Sequence, residues 1–147
     1  MIRKYMENFG FQDISIIDPN TGFVVYSTRK EVDFATNLFT GPFAKTNVAK
    51  AFDMARSLPE GRWSLADFSN YVPSMGAPAS FIATPVYDRS AMVGVVVFRL
   101  GIDEINNKMT GNQQWKRDGL GETGESYLLG PDSRMRSDAR RLIEDKF

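Results

Sequence analysis

Ala79-Ser80-Phe81-Ile82-Ala83-Thr84-Pro85-Val86-Tyr87, Asp88-Arg89-Ser90-Ala91, Met92-Val93-Gly94-Val95-Val96-Val97-Phe98-Arg99-Leu100 is the stretch that decides the fold. Two runs rich in β-branched and aromatic side chains flank a short polar connection, which predicts two strands paired antiparallel. Val93, Val95, Val96 and Val97 leave no polar side to the second run, the pattern of a central strand covered on both faces. In the first run, alternation sets Phe81, Ala83 and Pro85 against Ile82, Thr84 and Val86.

Working outward, Arg62 to Phe68 reads as a further strand, joined to Ala79 by the turn-former-rich loop Ser69 to Pro78. Before it, Val48, Ala51, Phe52, Ala55 and Leu58 recur at helical spacing, with Thr46 as N-cap and Pro59-Glu60-Gly61 as the stop. Glu31 to Lys45 is poorly periodic and broken by Gly41-Pro42, which suggests a short helical turn and then a loop. Asp13 to Ile17 and Phe23 to Thr28 flank Asp18-Pro19-Asn20-Thr21-Gly22, a β-hairpin. Downstream, Ile102 to Met109 fits a short helix. The order strand, strand, helix, strand, strand, strand, helix predicts an α+β domain with one antiparallel sheet of about five strands and helices on one face.

Residues 119 to 147 do not complete a domain. Ser126 to Met135 echoes Ile14 to Phe23, with Pro131 on Pro19, Leu128-Leu129 on Ile16-Ile17 and Asp132 on Asn20. Placed just after a complete domain, this echo suggests that a second copy of the unit begins here and is cut off. Asp138 to Phe147 is charged, a marginal helix or frayed tail, and the Arg134, Arg136, Arg140 and Arg141 cluster reads as a solvated face.

Composition narrows the chemistry. With 147 residues, 18 basic against 18 acidic side chains, and neither cysteine nor histidine, the chain has no thiolate or imidazole ligand, nucleophile or base. Balanced charge argues against a nucleic-acid duplex as partner. The longest apolar run, Met92 to Phe98, is short of the roughly 20 residues of a membrane helix. Met1 to Asn8 lacks an apolar signal-peptide core, which leaves a cytosolic protein or a soluble piece of something larger. The carboxylates sit mostly at predicted turns and helix starts, so no catalytic residue, metal site or cofactor is assigned, and no enzyme activity is expected.

Arg62 to Phe81, with the strand–turn–strand start and the middle helix, resembles the Cache sensor domains of bacterial receptors. Gly121-Glu122-Thr123-Gly124-Glu125-Ser126-Tyr127-Leu128-Leu129-Gly130-Pro131-Asp132 through Met135 to Asp138 is similar to the opening of the membrane-proximal module in receptors with two such units. The resemblance implies a PAS/profilin-like fold, with residues 1–110 as the sensor domain and 111–147 as a linker and truncated second module. It implies the periplasmic, small-molecule-sensing portion of a transmembrane receptor, most readily a methyl-accepting chemotaxis protein. A transmembrane histidine kinase or cyclase is the alternative output. The partners would be a small organic solute and the membrane that tethers the full protein, with a homodimer as a further option.

The family's binding mode places a ligand between the outer face of the sheet's last strands and the long loop joining two of them, here walled by Trp63, Asp67, Tyr71, Ser74, Phe81 and Ala83. Arg62-Trp63 departs from the Arg-x-Trp spacing of amino-acid-binding members, and their downstream Asp has no clear counterpart. On the residues alone, Asp67 either grips an ammonium or hydroxyl beside the indole or caps the next turn, and Trp63 lines a pocket or fills core. Tyr71 and Ser74 orient a polar ligand or belong to an ordered surface loop. A ligand-free PAS-type dimerisation module remains the rival reading, and a small hydrolase using carboxylates alone is a more remote one.

Overall fold

A computed structural model describes residues 1–145. The chain divides into two compact units, Met1–Gly101 and Ile102–Phe147. The first is built from α1 (Ile2–Phe9), β1 (Asp13–Ile17), β2 (Val24–Ser27), α2 (Asn47–Arg56), β3 (Ser64–Asn70), β4 (Pro78–Asp88) and β5 (Ala91–Gly101). Its five strands form one antiparallel sheet in the order β2-β1-β5-β4-β3.

The valine-rich run is the middle strand, as its composition requires. Ile17 and Pro85 flank Val95, Ser15 and Ala83 flank Val97, and Asp13 and Phe81 flank Arg99. These residues form one face of the sheet, and α2 closes over it with Val48, Ala51, Phe52 and Ala55. The alternation read from residues 81–86 holds: Phe81, Ala83 and Pro85 are buried, whereas Ile82 and Thr84 are partly covered and Val86 is exposed.

Several elements differ from the sequence reading. Residues 2–9 are helical, although no helix is expected there. Met6 is the only buried residue of α1, so the burial signal was slight. Tyr5 lies 6.4 Å from Phe98, on the sheet face opposite α2, so helices cover both faces. Glu31 to Lys45 forms turns, with an isolated bridge between Phe23 and Asn37 and no helix. Thr46 takes the N-cap position of α2, but its hydroxyl donates to the Phe43 carbonyl at 2.6 Å and caps nothing.

The first hairpin turns as read. Asp18 Oδ1 accepts the amides of Asn20 (2.9 Å) and Thr21 (2.7 Å), and the Thr21 bond above all holds this carboxyl below its ordinary range.

The second unit contains α3 (Ile102–Met109) and α4 (Arg140–Glu144). Asn106 and Asp138 bond reciprocally, amide nitrogen to carboxylate and backbone amide to carbonyl oxygen, both at 2.7 Å. Leu129 bridges Met135, and the Arg136 amide donates to the Leu128 carbonyl at 2.7 Å, closing a miniature hairpin over Pro131. Arg140 is not on a solvated face: it is 5% exposed, stacks 4.8 Å from the Trp115 ring, and donates to the Gly121 and Gly124 carbonyls. The tail is helical only over α4, and Lys146 and Phe147 lie outside the described residues. Among the described residues no helix is long and apolar enough to cross a membrane.

Candidate functional site

The face of the sheet under α2 is apolar except at one end. There β1 brings Asp13 and Ser15, β2 brings Ser27, and β5 brings Arg99, all buried. Strand alternation explains the guanidinium: Val95, Val97 and Arg99 point the same way, so the third member of an inward series is charged. The loop after β2 adds Glu31 and Asp33, and the end of β3 adds Tyr71.

Each charge has partners, and three groups are left over. Asp13 Oδ2 accepts the hydroxyls of Ser15 and Ser27, each at 2.9 Å, and its Oδ1 accepts the Arg29 amide at 3.0 Å. Arg99 donates through one terminal nitrogen to Glu31 at 2.7 Å. Tyr71 donates its phenol proton to Asp33 Oδ2 at 2.6 Å. Arg99 Nε, Asp33 Oδ1 and the Ser74 hydroxyl are buried without a hydrogen-bond partner. A buried polar atom left so costs about 1–3 kcal/mol unless something polar meets it.

The electrostatics lean one way. Burial opposes the charge on Arg99, but the Glu31 hydrogen bond and the charges of Glu31, Asp13 and Asp33 outweigh it and raise its pKa. One guanidinium thus stands among three carboxylates. Burial first, and Asp33 next, push the Tyr71 phenol far above its ordinary value, so the hydroxyl remains a donor.

Tyr71 is held from several sides. It is fully buried, its ring meets Phe81 edge-on at 4.9 Å, and Phe43 lies 6.1 Å away. A 3₁₀ turn over Val72–Ser74 follows, and then Met75 and Gly76 take left-handed φ values of 53° and 79°. That reversal lets the amides of Ser74 and Gly76 donate to the Tyr71 carbonyl at 3.0 and 3.1 Å. The turn hangs from the core by one aromatic side chain, with Met75 fully exposed at its tip.

The six residues singled out from the sequence separate into two groups. Tyr71, Phe81 and Ala83 are buried together on the α2 face, and Ser74 sits in the adjoining turn. Trp63 and Asp67 do not join them. Ser64 and Ala66 are the inward members of β3, so Trp63, Leu65 and Asp67 alternate outward, and Trp63 is 63% exposed. Asp67 Oδ1 accepts the amide of the next residue, Phe68, at 2.7 Å, beside the β3 irregularity between Ala66 and Ser69. The space a ligand would share with Phe81 is taken by the Tyr71 ring.

Sequence reasoning missed Asp13, Glu31, Asp33 and Arg99 as site residues. Arg99 carried a usable signal, a charge at the inward phase of a valine strand. Asp33 carried none, because it lies in a segment without periodicity.

No family model matches the sequence, and neither does any curated protein. Solved structures do share its fold. The ligand-binding domain of the Pseudomonas fluorescens chemoreceptor CtaA in complex with L-alanine superposes with a TM-score of 0.61 at 17% identity, covering 92% of this chain and 50% of the other. The same domain with L-valine gives 0.60 at 19% identity, covering 92% and 52%. The ligand-binding domain of the Pseudomonas aeruginosa amino-acid chemoreceptor PctC with GABA gives 0.57 at 10% identity, covering 89% and 51%. The chain spans about half the length of the structures it matches. At such identities the likeness establishes the architecture alone.

Proposed function

We propose that this chain is the extracytoplasmic small-molecule-sensing portion of a bacterial transmembrane receptor of the chemoreceptor kind, binding without turnover. The observation that carries the reading is the trio of unpartnered buried groups around Tyr71, Asp33 Oδ1, Arg99 Nε and Ser74 Oγ, on the fold that ligand-binding domains share. The guest is a small organic solute bearing an ammonium, because carboxylates outnumber the guanidinium, and an acceptor for Arg99 completes the match. Asp33, Arg99, Tyr71 and Ser74 supply its polar groups from the loop after β2, β5 and the turn, and Phe81 backs the Tyr71 ring.

Entry of the guest exchanges the Tyr71–Asp33 hydrogen bond for one to the guest and releases the Val72–Ser74 turn from the core. A ligand shifts such an equilibrium only by its preference for one state. The shift passes along β5, whose last residue, Gly101, precedes α3 in the chain. Residues 111–147 are a linker and the start of a second, membrane-proximal module. The hairpin over Pro131, set beside the turn over Pro19, supports that assignment.

The test is thermal unfolding of residues 1–147 against amino acids, amines, organic acids and nucleobases. A ligand at 100 times its Kd adds about 2.7 kcal/mol, and the effect should vanish in Asp33→Asn. Uniform failure across amines and amino acids defeats the reading. A second reading, a ligand-free interaction module, draws on exposed Trp63 and Leu65, and self-association lost in Trp63→Ala would favour it.

A further inference from the structure

Beside α2, a groove of about 310 Å³ is lined by Leu38, Phe39, Ala49 and Phe52, with Lys45 and Lys50 among its polar residues. It shares no residue with the buried polar cluster. We propose that it is a second binding site, for a small organic anion with a flat apolar body, an aryl carboxylate in chemical class.

The apolar wall is fixed in advance. Leu38 and Phe52 are buried, and the Phe39 ring lies tilted 5.6 Å from that of Phe52. Asn37 Oδ1 accepts the amides of Phe39 and Thr40 at 2.8 and 3.1 Å, pinning the backbone that carries the ring. The Phe39 ring also occupies the space a side chain at residue 22 would need: a Cβ built on Gly22 would come within 2.6 Å of it. The volume matches the lower end of small-molecule pockets, enough for one ring and its substituent.

The charges select the sign of the guest. Asp53 is the one carboxylate of the lining, and it is engaged by Arg56 at 3.3 Å. Arg56 in turn lies 4.7 Å from the centre of the Phe39 ring and 5.6 Å from that of Phe52. Lys45 and Lys50 form no ion pair among the described residues. Two unpaired ammonium groups beside an aromatic floor complement an anion whose ring stacks and whose carboxylate meets the lysines.

Benzoate is the probe, with benzylamine as its cationic counterpart, titrated into the isotopically labelled chain. Benzoate is expected to shift the Leu38 and Ala49 methyl signals and leave those of Ala83 in place. Lys45→Gln and Lys50→Gln should each weaken it roughly threefold, the scale of a single exposed charge, and raised salt should weaken it too. Both are surface changes that leave the core intact. Benzylamine bound as well as benzoate, undiminished binding in the double variant, or unmoved Leu38 and Ala49 signals would each overturn the proposal. Loss of the Tyr71 site in Asp33→Asn should leave benzoate binding unchanged, so the two sites stand or fall separately.

Discussion

The two faces of the sheet solve opposite problems. Under α2, the inward series of β1 and β5 ends in Asp13 and Arg99; Asp13 accepts hydrogen bonds from Ser15, Ser27 and the Arg29 amide, and Arg99 donates one to Glu31. On the other side, Ile14, Ile16, Val96 and Phe98 line an apolar cleft of about 210 Å³ with Ile2 and Tyr5, and Phe11 packs 4.9 Å from Phe98, while Trp63 and Leu65 stay exposed. The polar side chains are inside and the largest aromatic of β3's end is outside. Burial by itself therefore does not separate structural from functional residues here. What distinguishes the α2 face is a cluster of buried charges, Asp13, Asp33 and Arg99, at one end.

Arg99→Met should break the contrast most severely. It strands Asp13, Glu31 and Asp33 without their guanidinium, and urea unfolding should show a loss of about 3–5 kcal/mol. An unchanged midpoint would mean the cluster is wetter than its burial implies.

Tyr71→Phe keeps the ring against Phe81 and removes only the bond to Asp33, at about 1–3 kcal/mol for the carboxylate oxygen left unmet. Tyr71→Ala should cost more, since it also empties the space between Phe43 and Phe81.

Alkaline titration sharpens the same point. The folded-state pKa of Tyr71 lies above its ordinary 10.0, so the folded protein keeps a proton that the unfolded chain releases. The stabilisation is whole below about pH 10 and declines above it, by up to about 1.4 kcal/mol per pH unit for this one group. Urea midpoints between pH 9 and 12 should fall more steeply in the native chain than in Tyr71→Phe. Parallel curves would contradict the assignment.

On the opposite face, Trp63→Ala should move unfolding by no more than about 0.5 kcal/mol, because the indole is 63% exposed. A larger loss would show that the outward indole packs in solution.

The amino-acid sequence by itself determined the local pieces. β-branched runs and the turn residues between them fixed the hairpins around Asp18 to Gly22 and Asp88 to Ala91, and apolar spacing fixed α2, because period and turn chemistry act over a few neighbours. The same alternation grouped Phe81 with Ala83 and Pro85 but left open which group faces α2. α1 escaped because its burial rests on Met6 alone. Tertiary structure alone decided which end of the sheet is polar inside. Asp33 meets Tyr71 across 38 residues and Glu31 meets Arg99 across 68, separations at which no local pattern speaks. It also decided the fate of Trp63 and Asp67. They share a face of β3, as their spacing requires, but only the packing of α2 against Ser64 and Ala66 fixed that face as the outer one. A strand's period states which residues go together, and the partner that covers one side states where they go.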